Sequence, residues 1–148
     1  PWYNRQRLEK ESRNRSPSTL MSVSGLQFDS PKNEALITSH FGPRWGRTHE
    51  GVDLDANRGD EIFAAADGVV EELSTTASYG RKIVLRHDRE FTTVYAHLNS
   101  FKVRNGDRVK RGQLIGTAGS SGLVTGVHLH FELRRNGEPI DPLNYIRF

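Results

Sequence analysis

The sequence predicts an all-β, strand-dominated domain, an antiparallel sandwich or partly open barrel, preceded by a helical or irregular leader. Three observations carry this expectation. Several segments alternate apolar and polar residues with the period of two that a half-buried strand requires. Glycine occurs 14 times, closely enough spaced to punctuate short strands with turns. Outside the leader and the terminal DPLNYI, no stretch sustains the 3.6-residue spacing of an amphipathic helix.

Residues 1–30 read as a leader or linker, the end of an upstream region. Helix-like Arg/Glu polarity runs to Arg15, and the small, turn-prone residues SPSTLMSVSG follow. Residues 31–148 then form the domain. Asp67-Gly68 leads into the strand VVEEL, and IVLRH runs through a hairpin turn into FTTVYAHL. VRNGDRVKRGQLIG and RRNGEPID each carry the Asn-Gly turn signal. Leu129, Phe131 and Leu133 share one strand face, and DPLNYI closes the chain as a candidate helix.

The length of 148 residues suits one domain with a real core. With no cysteine, disulfides and thiolate-bound zinc are excluded, and any metal must sit on His, Asp or Glu. The net charge of +3 is a property of the leader, where Arg5, Arg7, Lys10, Arg13 and Arg15 face only Glu9 and Glu11. Charges in the remainder cancel, so no basic face for nucleic acid is expected. No apolar run approaches the ~20 residues needed to span a bilayer.

The strongest local signal is His128-Leu129-His130. Residues two apart on a strand point the same way, so both imidazoles project together while the core-facing apolar residues lie behind them. A second cluster is His49-Glu50-Gly51-Val52-Asp53. Gly51 and the alternation of Val52 and Leu54 with Asp53 and Asp55 favour a short strand presenting His49 and Asp53. With one histidine of the HLH pair, these form a set of two His and one Asp with a position left free, as catalytic zinc requires. Spacing alone does not choose between His128 and His130 as the ligand.

The third element is Tyr95-Ala96-His97-Leu98. Alternation puts Tyr95 and His97 on one face, with Val94, Ala96 and Leu98 on the other. His97 and the unused HLH histidine are then available to take a proton and to steady an oxyanion. His40 and His87, beside turns or strand ends, read as structural or solvent-facing, with His40 placed to line a groove.

The motifs HEGVD, YAHL and HLHFEL, in that order, resemble those of the lysostaphin/LytM-type zinc endopeptidases. SHFGPR, FAAADGVV, NGDRVKRGQLIG and GSSGLVTG extend the resemblance from Thr38 to Pro142. It implies that Zn2+ is held by His49, Asp53 and His130, with His97 and His128 as catalytic histidines. Which of those two is the base stays open. Glu90 and Val127 depart from the family's usual glycine and proline and bear on loop shape only. The resemblance further implies a peptidoglycan peptide as substrate, a D-alanyl cross-link in preference to a glycine bridge, a monomer, and a place in the cell envelope.

Three rival readings follow from the same residues. One is a non-catalytic relative that binds and activates other wall hydrolases. Another is a helical zincin, in which HEGVD would act as HExxH with Glu50 as base. The last is a lipoyl or biotinyl carrier barrel, suggested by VRNGDRVKRGQLIG, although no lysine there sits in the required turn.

Overall fold

The computed structural model describes residues 25–44 and 46–148. Most of the expected leader lies outside these residues. Phe28 and Asp29, at its end, are buried. The Phe28 ring lies 5.6 Å from that of Phe91, and Asp29 is 3.3 Å from Arg111 Nε.

Strands dominate the described residues. The first five are β1 (Ile37–Ser39), β2 (Gly42–Arg44), β3 (Arg47–His49), β4 (Val52–Asp55) and β5 (Glu61–Phe63). Three long strands follow: β6 (Gly68–Thr76), β7 (Gly80–Arg86) and β8 (Phe91–Phe101). The last four are β9 (Arg108–Val109), β10 (Leu114–Ala118), β11 (His128–Arg135) and β12 (Glu138–Ile140). All pairings are antiparallel, and the main sheet runs β1-β4-β11-β8-β7-β6-β9, with β10 bridging β5 and β8. β1 and β9 end this path without pairing to each other, so the sheet is not a closed barrel.

The turns follow local chemistry. Asn136 and Gly137 take φ of 53° and 82°, joining β11 to β12 as an Asn-Gly hairpin should. Asn105-Gly106 also turns, with Gly106 at φ 86°, but its flanking strands do not pair; β9 goes to β6 instead. Between β7 and β8, Asp88 Oδ1 accepts from the Glu90 and Phe91 backbone N–H groups. Glu90 therefore needs no positive φ, and its carboxylate meets Arg135 Nε at 2.9 Å. The helix expected at DPLNYI is only a 3-10 turn, Pro142–Asn144, capped by Asp141. Tyr145 and Ile146 turn into the core directly after it.

Leu129, Phe131 and Leu133 are fully buried, as alternation required, together with Ile83, Leu85, Phe91, Tyr95 and Leu98. Each such side chain contributes about 1.5–3 kcal/mol by leaving water. One polar chain crosses this interior. His87 Nδ1 donates to the Asp67 carbonyl, so its Nε2 must accept from Thr93 Oγ1. Thr93 in turn accepts from the Tyr95 hydroxyl, whose oxygen receives the Ala65 N–H. Burial, the largest influence, holds the His87 pKa below its ordinary value, consistent with this neutral, structural role.

The regular alternation breaks once where it matters. Ile83 pairs with Tyr95 but Arg81 pairs with Leu98, so Ala96 and His97 together face Lys82 across a β-bulge. His97 sits there at φ 63°. The extra residue corrects the expectation that Tyr95 and His97 share a face. Tyr95 and Leu98 enter the core, whereas His97 turns toward His128 and His130, 5.1 and 6.0 Å away between ring centres.

Candidate metal centre

Three neighbouring strands and one corner build the site. β4 pairs with β11 so that Asp53 lies opposite His130, and β8 places Ala96 on the other side of His130. His49 comes from the end of β3, one corner before β4. HEGVD is thus neither a helix nor the single strand expected, but two strands joined at Glu50-Gly51. Gly51 explains how the corner fits: a Cβ there would stand 2.2 Å from the Phe131 carbonyl oxygen. Gly51→Ala is therefore expected to lower unfolding free energy by about 1–3 kcal/mol in a denaturant titration. An unchanged midpoint would contradict this close packing.

One ligand atom each from His49, Asp53 and His130 lies within 4.8 Å of the others. A backbone acceptor selects which nitrogen of the His49 ring faces inward, and carboxylates flank both nitrogens of His130. His49 Nδ1 is 2.9 Å from the His40 carbonyl, which can only accept, so Nε2 carries the lone pair, 3.4 Å from Asp53 Oδ1. His130 places Nε2 2.8 Å from Glu132 and Nδ1 2.9 Å from Asp53 Oδ1. Burial alone would lower the His130 pKa, but hydrogen bonds to Asp53 and Glu132 outweigh it and raise it to about 9. Asp53 is pulled below its ordinary value by these histidines, against the opposing effect of its burial. Two imidazole nitrogens and one carboxylate oxygen are donor types that a divalent cation such as zinc takes.

His97 and His128 border the same open cleft of about 620 Å3. His97 Nδ1 donates to the Ser121 carbonyl at 2.8 Å, so its Nε2 is unprotonated in the neutral ring. Burial first, and the neighbouring histidines after it, hold its pKa below the ordinary value. His128 Nε2 is 3.9 Å from Asp53 Oδ1. His40 contributes only its carbonyl to these contacts, and His87 lies in the core network already described.

Two polar residues of the cleft escaped sequence reasoning. Glu132 is fully buried and follows His130 by two, so the same alternation that paired the histidines placed it beside them. Tyr79 precedes β7 in ASYG, where no spacing marks it. Its hydroxyl donates to Glu132 at 2.7 Å, and burial followed by that bond raises its pKa well above the usual phenol value.

His49, Asp53 and His130 form an open His/Asp cluster on an antiparallel β scaffold that could hold a metal ion. Residues 47–142 match the profile described as Peptidase family M23, and the chain belongs to that family. It is 42% identical over 115 residues to the peptidoglycan DD-endopeptidase ShyC of Vibrio cholerae, covering 73% of this chain and 27% of that protein. It is 33% identical over 132 residues to the murein hydrolase activator NlpD of Salmonella typhimurium, covering 88% of this chain and 34% of that protein. A crystal structure of a zinc-containing peptidase from Vibrio cholerae superposes with a TM-score of 0.76 at 34% identity, covering 79% of this chain and 39% of that one. The chain thus spans about a quarter to a third of the curated relatives it matches.

Proposed function

We propose that this chain is a zinc-dependent endopeptidase of the cell envelope that hydrolyses peptide cross-links of bacterial peptidoglycan, with the D-alanyl cross-link as its bond. The observation that carries the reading is the convergence of His49, Asp53 and His130 with His97 and His128 in one cleft. The 42% identity to a protein named a DD-endopeptidase supports the choice of bond. Purified walls with D-alanyl cross-links and walls with glycine bridges, digested and analysed by mass spectrometry, test it. Fragments released only from the glycine-bridged walls would overturn the bond assignment.

His49 Nε2, an Asp53 oxygen and His130 Nδ1 would hold the metal, a donor set suited to Zn2+. When bound, zinc supplies Lewis acidity toward a carbonyl and toward water. His97, with its lone pair on Nε2, takes the proton from the attacking water and passes it to the leaving amine. His128 is the donor available to the oxyanion that develops on the scissile carbonyl.

Glu50 is not required as base in this arrangement. It is exposed on the cleft rim, and its Oε2 stands 3.5 Å from the Tyr79 hydroxyl. Glu50→Gln is expected to keep kcat/KM within about threefold of wild type, since a general base contributes about 10²-fold or more. Abolished turnover would favour the rival in which Glu50 is the base.

The similarity to NlpD favours a second reading, a regulator that activates other wall hydrolases. Wall binding unaffected by a chelator, with no cleavage at any zinc concentration, would support it. The filled ligand and histidine positions support the enzyme.

A further inference from the structure

Glu132 is a carboxylate with no solvent exposure at the back of the cleft. Its Oε2 accepts from His130 Nε2 at 2.8 Å and from the Tyr79 hydroxyl at 2.7 Å. Its Oε1 accepts from Arg134 Nε at 2.7 Å, and Arg134 Nη2 reaches the Tyr79 hydroxyl at 3.2 Å. An isolated charge in such a place is costly, and a well-packed apolar side chain would avoid that cost. The surrounding strand already supplies Phe131 and Leu133 to the core. What only a carboxylate can do here is accept several hydrogen bonds at once, and two of its donors are residues of the cleft.

We propose that Glu132 is the positioning residue of this centre, orienting the His130 ring and the Tyr79 phenol through one oxygen, with Arg134 clamping the other. The inference rests on the reading of His130 as a metal ligand. With Nε2–H held from behind, the ring cannot rotate about Cβ–Cγ without losing that bond, so Nδ1 stays aimed at Asp53. The negative charge behind the ring also strengthens Nδ1 as a donor to a cation. Arg134, through its planar fork, keeps the carboxylate from turning toward either partner alone.

Zinc affinity, measured on the full chain by competition with a chromophoric chelator, tests this in wild type, Glu132→Gln and Arg134→Lys. Glutamine keeps the shape but loses the charge and turns an N–H₂ toward a donor. Folded Glu132→Gln is expected to bind zinc about 10–100-fold more weakly. In the zinc-loaded NMR spectrum its His130 ring N–H proton should move upfield, a change that a purely structural role would not produce. Affinity equal to wild type, with that resonance unmoved, overturns the proposal. A wild-type chain that binds no zinc overturns instead the assignment of His49, Asp53 and His130, and this inference falls with it. Should Glu132→Gln fail to fold, Arg134→Lys decides, because the Arg134 side chain is 29% exposed and lysine keeps its charge. Severalfold weaker zinc binding then supports the clamp, and unaltered binding overturns it.

Discussion

Asp53→Ala should abolish cleavage of cross-linked wall peptides, and zinc should not rescue it, whereas wild type stripped by a chelator should recover when zinc is returned. Asp53 Oδ1 is the hub of the centre, 2.9 Å from His130 Nδ1, 3.4 Å from His49 Nε2 and 3.9 Å from His128 Nε2. Removing it takes away one of the three proposed ligand atoms and leaves two imidazoles without the charge that would draw a cation between them. A loss of several kcal/mol of transition-state stabilisation corresponds to a fall of about 10³-fold or more in kcat/KM. Product release by mass spectrometry, with bound metal quantified in the same samples, provides the measurement. Cleavage by metal-free wild type at the rate of the reloaded protein would refute a metal-dependent mechanism.

The second large effect is expected at His97. His97→Ala should lower kcat by about 10²–10⁴-fold, the usual contribution of a positioned acid or base, while zinc affinity stays near wild type. Its signature is a pH profile. Burial, chiefly, lowers the His97 pKa from its ordinary 6.5. A base works only when neutral, so wild-type kcat/KM should rise with pH through a value below 6.5 and level off above it. In His97→Ala that acidic limb should disappear. If the limb survives unchanged in the residual activity, another group is the base, and His128 becomes the first to examine.

The parts legible in the sequence are those where one periodicity holds without interruption. KIVLRH and HLHFEL each show two-residue alternation along their strands, and their core faces follow from it, whereas β6 shifts register between Val70 and Glu72. Asn136-Gly137 marked its hairpin because the two positive φ angles are intrinsic to that dipeptide in such a turn. His97 shows the limit of the method. Its residue type was informative but its direction was not, since counting by twos cannot register the extra residue of a bulge. Asn105-Gly106 shows another limit: a turn is local, whereas the choice of β6 as the partner of β9 is made by tertiary packing. Tyr79 enters the cleft from outside any periodic element, and Gly51 matters through contact with Phe131, far along the chain.

The pairing of Asp53 with His130 also bears on when the centre comes into being. The two residues are 77 positions apart, and the pairing of β4 with β11 brings them together. Closing so long a loop is among the slower events of folding, because its entropy must be lost before the contacts form. Until β11 has been synthesised and inserted between β4 and β8, the chain holds only His49 and Asp53 of the three proposed ligands. A chain in which that pairing is open would lack the proposed metal centre. The proposed capacity for hydrolysis would then be tied to the pairing of β4 with β11 and be lost wherever that pairing opens.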